Sequence, residues 1–245
     1  MTNKNTNGSG FVKTRSYNKH ILKILEKHYI YEYTDIIFEN LINLGILISG
    51  RGSNMEAILR AIEMSKIKDV VPRVVISNKP DAPGLHKAAK MGVSTRVVYN
   101  SARGWEYDKE IVSVLRDHLV NQQNGLICLA GYMRIISPEF IKLFKGRILN
   151  VHPSLLPAFP GLHAQKQALD YGVKVSGCTV HFVDVGVDTG PIVAQRTIEV
   201  EDHDTEETLS NRILVQEHEL YIECINRFAQ GKLSTLGRRV CIKSC

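Results

Sequence analysis

The chain has 245 residues, of which 44% are hydrophobic and 23% charged, as is typical of one sizeable α/β domain. Its formal net charge is +6, but basic and acidic residues are mixed along the chain, which favours small anionic substrates over nucleic acid. No apolar run reaches transmembrane length, and the five scattered cysteines have no CxxC spacing, so neither a zinc site nor a disulfide framework is indicated.

Residues 1–43 differ in composition from the rest of the chain. All basic residues up to Lys23 precede the first acid, Glu26, and the apolar residues between His20 and Tyr29 predict a short helix. Such a start resembles an organellar presequence, and a dispensable tail is the alternative. We expect a flexible N-terminal extension over 1–43 and a single domain over 44–245. The expected location is the cytoplasm, unless the extension directs the chain to an organelle.

The folded part begins with a buried strand at 44–49, a glycine-rich turn at 50–54, and a helix with apolar residues on one side. This order directs backbone N–H groups and a helix N-terminus at an anion. The turn lacks the third glycine of a dinucleotide fingerprint and the Gly-Lys-Ser/Thr of a P-loop. It therefore predicts a site for one phosphate monoester, although plain strand–helix connections use similar turns.

Strands and helices then alternate along the chain. Strands are predicted at 70–78, 93–99 and 125–130, and helices at 84–91, 108–120 and 137 onward. Two later strands, 178–183 and 192–200, flank a loop punctuated by glycine and suit an antiparallel pair. The predicted fold is α/β: a doubly wound, mostly parallel twisted sheet of Rossmann-like type, with an antiparallel strand pair near the C-terminal part.

One buried strand carries the clearest chemistry. Asn150 and His152 alternate with Leu149 and Val151, so the two polar side chains share a face. Pro153 ends the strand, and strand ends are where open α/β sheets bind ligands. A strand that merely tolerates these residues is the plainer interpretation, but the shared face beside a rigid turn favours a functional site.

Two acids further along also indicate a site. Asp188 lies among glycines in the loop between the two later strands, so its carboxylate can be presented to a ligand; an Asx-type turn is the alternative. Glu217 falls on the apolar stripe of a long helix, and a buried carboxylate needs a partner or reaches into a pocket. His218 and Glu219 are expected to face solvent.

Four motifs together resemble the formyltransferases that depend on 10-formyltetrahydrofolate. They are Ser49-Gly50-Arg51-Gly52-Ser53-Asn54, Ala130-Gly131-Tyr132-Met133-Arg134-Ile135, Asn150-Val151-His152-Pro153-Ser154-Leu155-Leu156-Pro157 and Asp188-Thr189-Gly190-Pro191. The first motif, together with Gln216-Glu217-His218, is similar to the phosphoribosylglycinamide (glycinamide ribonucleotide) branch of that family. The likeness runs from about residue 44 to residue 240.

The resemblance implies transfer of the formyl group of the co-substrate 10-formyltetrahydrofolate to the amine of glycinamide ribonucleotide, in de novo purine biosynthesis and without a metal. The implied catalytic set is Asn150, His152 and Asp188. The implied ribonucleotide-binding residues are Gly52, Ser53, Asn54 and Glu217. The implied folate-binding residues are Met133, Arg134, Ile135, Ile136, Asn150 and Asp184. The family's arginine before the helix near Tyr107 has its nearest counterpart in Arg103, and whether that contact is kept stays open.

The residue types suit this chemistry. Attack of an amine on a formyl carbon creates an oxyanion, to which Asn150 can donate a hydrogen bond worth about 10²–10³ in rate. His152 can donate a second hydrogen bond or move the amine's proton, a role worth about 10²–10⁴. Asp188 can fix the imidazole's tautomer or order a relaying water. His181 is expected to support these residues rather than to react.

Three other functions remain open at this point. A 10-formyltetrahydrofolate hydrolase would use the same Asn and His, but its relatives carry a larger domain in front. A methionyl-tRNA formyltransferase needs a further basic domain that binds RNA. A catalytically silent binding module would not require the complete catalytic set. We expect small-molecule substrates, no nucleic-acid or membrane partner, and a monomer or a homodimer.

Overall fold

The computed structural model describes residues 41–243. Nine strands in that range form one sheet, namely β1 (Ile42–Ile48), β2 (Val70–Ser77), β3 (Ser94–Val97), β4 (Gly125–Leu129), β5 (Ile148–His152), β6 (Val175–Phe182), β7 (Ile192–Glu199), β8 (Leu233–Leu236) and β9 (Arg239–Ile242). The helices of the same range are α1 (Ser53–Glu63), α2 (Pro83–Lys90), α3 (Trp105–Asp117), α4 (Pro138–Leu143), α5 (Ala164–Tyr171) and α6 (Glu206–Ala229).

The strand order across the sheet is β3-β2-β1-β4-β5-β6-β7-β9-β8. The first five strands in this order pair in parallel, whereas β6 is antiparallel to both of its neighbours and β8 is antiparallel to β9. The predicted α/β class, the largely parallel sheet and the antiparallel pair β6–β7 are confirmed. The sequence patterns do not predict that β6 is also antiparallel to β5.

Helices cover both faces of the sheet, and each face has its own apolar cluster. On one face, Met55 and Ile58 of α1 pack in the same cluster as Ile213 of α6. On the other face, Ile111 of α3 and Phe140 of α4 pack in a second cluster. The apolar sides of these four helices are thus buried against the sheet, as a doubly wound fold requires.

β5 lies in the middle of this arrangement and shows the predicted alternation. Leu149 and Val151 are buried in the cluster beneath α6, while Asn150 and His152 point to the opposite face. β5 ends at His152, immediately before Pro153. The end of the strand therefore holds a carboxamide and an imidazole side by side.

The order of the parallel strands places three loops at one edge of the sheet. The connections run outward in opposite directions from β1 and β4, which are neighbours, so the loops that follow these two strands separate and leave a crevice. In the register of the sheet, Leu47 pairs with Leu129 and Leu129 with Asn150. The ends of β1, β4 and β5, at Ile48, Leu129 and His152, therefore lie within two residues of one another in this register.

The predicted N-terminal extension and its helix at 20–29 fall outside the described residues. β1 begins at Ile42, two residues before the predicted start of the domain at 44. The domain boundary stays a prediction. Between residues 41 and 243, no helix combines the length and the apolar character needed to span a membrane.

A buried tyrosine joins α6 to the two strands that end at the site. The hydroxyl of Tyr221 donates to the carbonyl of Leu149 at 2.8 Å and lies 3.2 Å from that of Leu129. We predict that Tyr221→Phe lowers the free energy of unfolding by about 1–2 kcal/mol, because a buried carbonyl loses its donor. Tyr171→Phe removes an exposed hydroxyl and serves as the control, with a change below about 0.5 kcal/mol. Equal urea midpoints for the two variants would contradict this.

Candidate active site

The structure brings Asn150, His152 and Asp188 together around one carboxylate. Oδ2 of Asp188 accepts the backbone N–H of Gly161 at 2.9 Å and lies 3.3 Å from Nδ1 of His152. Oδ1 lies 3.5 Å from Nδ2 of Asn150 and 3.7 Å from Nε2 of His181. The predicted convergence of these three side chains is therefore present, and His181 joins them.

The loop between β6 and β7 is shaped to present Asp188. Asp188 has a φ of 54°, a left-handed conformation that Asp tolerates better than most residues. A Cβ at Gly190 would lie 1.7 Å from the carbonyl oxygen of Phe182, so only glycine lets the loop close there. Within the loop, Oδ1 of Asp184 accepts the hydroxyl of Thr189 at 2.6 Å. Asp184 therefore braces the loop from inside.

His152 is 4% exposed and has an oxygen beside each ring nitrogen. Nε2–H donates to the carbonyl of Phe159 at 2.8 Å, and Nδ1 faces Asp188. Burial lowers the pKa of His152, while the Phe159 carbonyl and Asp188 partly oppose this. The ring is therefore held neutral by burial, yet both of its N–H groups find acceptors once it takes up a proton.

Asp188 remains ionised beside this ring. Burial raises the pKa of Asp188, but His181, the Gly161 N–H and His152 outweigh it and bring the pKa below its ordinary value. The site thus combines a carboxylate with a neutral imidazole. Such a pair takes up or releases a proton as one unit.

The amide of Asn150 is oriented by His181, its partner across the β5–β6 pairing. Nδ2 of Asn150 donates to Nε2 of His181 at 3.1 Å, and Nδ1–H of His181 donates to the carbonyl of Phe182 at 2.9 Å. These bonds fix both the amide's orientation and the tautomer of His181. The second amide hydrogen has only the long contact to Asp188, so it is available to a ligand.

Two backbone groups of the proline-rich segment after β5 complete the site, and the sequence patterns did not indicate them. The Phe159 carbonyl contacts His152, and the Gly161 N–H contacts Asp188. Phe159 has a φ of 54° and Gly161 a φ of 79°. The succession Phe159-Pro160-Gly161 is the only signal that a tight backbone turn lies here.

The glycine-rich turn after β1 leads directly into α1. Gly52 has a φ of 67°, and a Cβ there would lie 3.0 Å from Cα of Gly84, at the start of α2. The N–H of Gly84 donates to the carbonyl of Gly50 at 3.1 Å. Helix α1 begins at Ser53, so the N–H groups of its first turn are directed out of the helix end. The predicted geometry for an anion is present.

Asn54 and Glu217 contact each other, which the sequence patterns did not indicate. Nδ2 of Asn54 donates to Oε2 of Glu217 at 2.7 Å, and each residue is 7% exposed. Burial raises the pKa of Glu217, although the bond from Asn54 opposes it. Oδ1 of Asn54 has no partner among the described residues. The side chain of Asn54 therefore bonds to Glu217, and the backbone N–H of Asn54 is left for an anion.

The predicted solvent exposure of His218 is wrong. Its Nε2 is buried and has no partner among the described residues, and burial lowers its pKa. His218 is half-buried on α6, which packs against α1, and it lies near enough to Glu56 of α1 to feel that charge, so tertiary contact decides its partial burial. Glu219 is exposed and pairs with Arg196, as its predicted position allows.

The loop after β4, residues 130–136, presents two apolar side chains to solvent. Met133 is 63% exposed and Ile135 80%, whereas Ile136 is buried in the core. The guanidinium of Arg134 lies 3.6 Å from the centre of the Tyr107 ring, so this side chain braces the loop. Met133 and Ile135, two residues apart on a fixed loop at the end of β4, are a candidate apolar binding surface.

Other groups lie outside this set. Arg103 is exposed, just before α3. Within residues 41–243, no cluster of three or more His, Cys, Asp or Glu side chains is placed to hold a metal ion. A depression of about 300 Å³ between α3 and α4, lined by Trp105, Lys109 and Leu143 among others, shares no residue with the site.

Comparison with known proteins agrees with this geometry. The family described as "Formyl transferase" matches residues 42–225. The phosphoribosylglycinamide formyltransferase of Escherichia coli (strain K12) is 42% identical over 193 residues, which cover 78% of this chain and 89% of that protein. The trifunctional purine biosynthetic protein adenosine-3 of Drosophila pseudoobscura pseudoobscura is 45% identical over 194 residues, but the match spans only 14% of its length.

A solved structure of a formyltransferase is also similar to this chain. The glycinamide ribonucleotide transformylase 1 of Symbiobacterium toebii superimposes with a TM-score of 0.79 at 46% identity, covering 84% of this chain and 95% of that one. The family match at residues 42–225 includes the strands, the turn and the loops that build the site. The chain therefore belongs to the formyl transferase family, in the branch of the phosphoribosylglycinamide formyltransferases.

Proposed function

We propose that this chain transfers the formyl group of 10-formyltetrahydrofolate to the amine of glycinamide ribonucleotide. The products are formylglycinamide ribonucleotide and tetrahydrofolate, and the reaction belongs to de novo purine biosynthesis. The observation that carries the proposal is the convergence of Asn150, His152 and Asp188 at the end of β5. The names of the Escherichia coli and Symbiobacterium toebii relatives support the choice of ribonucleotide.

The reaction begins when the amine nitrogen attacks the formyl carbon. A carbon–nitrogen bond forms, and the formyl oxygen takes on negative charge in the tetrahedral intermediate. Asn150 donates to this oxygen with the amide hydrogen that is not held by His181. Because His181 fixes the amide before the ligands arrive, the donor needs no reorganisation when the charge develops.

The His152–Asp188 pair moves the proton. The attacking amine loses one proton, and the folate nitrogen gains one when its bond to the formyl carbon breaks, so the pair is unchanged at the end. Burial keeps the His152 ring neutral, so its Nδ1 can take up the proton. The protonated ring is then stabilised by Asp188 at Nδ1 and by the Phe159 carbonyl at Nε2. General acid–base help of this kind is worth about 10²–10⁴ in rate.

The ribonucleotide fits between the first turn of α1 and α6. We assign its phosphate to the backbone N–H groups of Gly52, Ser53 and Asn54, because a helix N-terminus favours an anion. Glu217 is buried next to Asn54 and accepts donors from the glycinamide or ribose end. The contact between Asn54 and Glu217 thus links the two ends of the proposed ribonucleotide site.

The folate fits against the loop after β4 and the loop that carries Asp188. We assign the exposed side chains of Met133 and Ile135 to its rings, with the backbone of Arg134 and Ile136 alongside, since the Arg134 side chain contacts Tyr107. Asp184 shapes the second loop through its bond to Thr189. Asn150 lies where the formyl group would meet the ribonucleotide.

One assay separates this function from its rivals. Tetrahydrofolate release from 10-formyltetrahydrofolate is followed with and without glycinamide ribonucleotide. The proposal requires release that depends on the ribonucleotide and equals the formylglycinamide ribonucleotide formed. Release that ignores the ribonucleotide would identify a hydrolase, and no release would identify a silent binding module.

A cytoplasmic location, small molecules as the only partners, and a monomeric or homodimeric state stay predictions. The formal charge of +6 agrees with anionic substrates.

We predict that His152→Ala lowers kcat by about 10²–10⁴, because the proton acceptor is lost. The dissociation constants of the ribonucleotide and of tetrahydrofolate, measured by calorimetry, should change by less than about tenfold, equivalent to about 1.4 kcal/mol. The control is His203→Ala, since His203 is exposed in the segment before α6. Large losses of both affinities with an unchanged kcat would show that His152 is only structural.

The pKa of His152 tests its pairing with Asp188. Because burial lowers it, we predict that the ring titrates below its ordinary value of about 6.5. Asp188→Asn removes a charge that raises this pKa, so the ring should titrate at still lower pH. NMR titration of the imidazole signals measures both values. An unchanged or higher His152 pKa in Asp188→Asn would contradict the assigned interaction.

We predict that Glu217→Gln raises the KM for the ribonucleotide about tenfold or more, since hydrogen bonds to a charged group are the stronger ones. The KM for the folate co-substrate should stay within about twofold, because the partner of Glu217 is Asn54 at the start of α1, in the proposed ribonucleotide site. Glu219→Gln, on the exposed side of α6, is the matched control. Equal weakening of both substrates would refute the role of Glu217.

A further inference from the structure

The hydroxyl of Ser49 joins three segments that follow three different strands. Ser49 comes directly after β1 and is 4% exposed. Its Oγ donates to Oδ1 of Asn78, just after β2, at 2.6 Å, and accepts the backbone N–H of Met133 at 2.8 Å. The N–H of Ser49 also donates to the carbonyl of Gly131 at 3.1 Å. One small buried residue thus holds the loop after β4 at two points.

The direction of these bonds is fixed by the single proton of the hydroxyl. Because the proton points to Asn78, the lone pairs of Oγ are left for the N–H of Met133. Bonds that pass through a shared hydroxyl polarise one another, and burial strengthens them. Asn78 therefore sets the orientation of the hydroxyl, and the hydroxyl sets the backbone of Met133.

We infer that Ser49 is a positioning residue for the loop after β4, and thereby for the folate. This inference rests on the proposed function, since it takes that loop as the folate-binding surface. Further along, Arg134 is held by the Ala102 carbonyl at 2.6 Å, and the N–H of Ser137 by Asp108 at 2.7 Å. The bond from Met133 fixes the part of the loop that carries the exposed side chains.

The test is Ser49→Ala, which keeps the backbone bond to Gly131 and leaves the Met133 N–H without its acceptor. We expect the dissociation constant of tetrahydrofolate, measured by calorimetry, to rise about tenfold, the effect of one lost buried bond. The KM for the formylated folate should rise in parallel. The KM for the ribonucleotide and kcat should stay within about threefold, because the turn at Gly52 and the catalytic set are untouched.

Two further variants make the test specific. Ser77→Ala is the matched control, because Ser77 is buried at the end of β2 and, within residues 41–243, the one hydrogen bond of its Oγ is from the nearby N–H of Lys79 at 3.0 Å. Its folate affinity should stay within about twofold of the wild-type value. Asn78→Ala keeps the hydroxyl but frees its orientation, so it should weaken folate binding by about threefold. If Ser49→Ala does not fold, the folate affinity of Asn78→Ala tests the inference in its place.

The inference is overturned if Ser49→Ala, or Asn78→Ala in its place, binds tetrahydrofolate as the wild type does. It is also overturned if folate and ribonucleotide weaken equally, which would indicate general damage. Because tetrahydrofolate binding is measured without turnover, the two proposals fail separately. Absent formyl transfer by the wild-type chain would count against the proposed function, whereas unchanged folate binding by the variants would count against the role of Ser49.

Discussion

The carboxylate of Asp188 is the interaction on which the site depends. It contacts the end of β5 through His152 and Asn150, and the proline-rich segment after β5 through the Gly161 N–H. Burying a carboxylate without such partners costs free energy, so these contacts hold Asp188 in place. Asp188 in turn orients the side chains and the backbone N–H that make them. The loop that carries it closes only because Gly190 can pack against the carbonyl of Phe182.

The sheet explains why two ligands would meet at this carboxylate. β1, β4 and β5 end within two residues of one another, and the connections run outward from β1 and β4 in opposite directions. The loop after β1 offers N–H groups suited to an anion, and the loop after β4 offers exposed apolar side chains. A phosphate ester on one side and an aromatic co-substrate on the other would place their reacting ends above β5.

Sequence patterns predicted the parts of this site that have a local signature. The alternation in β5 placed Asn150 and His152 on one face, and the apolar stripe of α6 showed that Glu217 is buried. The partner of Glu217 was not predictable, because Asn54 lies 163 positions away and only the packing of α1 on α6 brings them together. Backbone groups, such as the Phe159 carbonyl, exist at every residue and carry no sequence signature. The partial burial of His218, with its Nε2 out of contact with solvent, was missed for the same tertiary reason.

The central claim is that the two ligands meet at Asn150, His152 and Asp188. A crystal structure of the chain with glycinamide ribonucleotide and tetrahydrofolate tests it most directly. We predict the phosphate at the start of α1 and the folate ring against Met133. The amine nitrogen should lie within about 3.5 Å of the place where a formyl carbon would sit when its oxygen accepts a hydrogen bond from Asn150. Either ligand bound elsewhere, or an amine remote from residues 150, 152 and 188, would contradict the account.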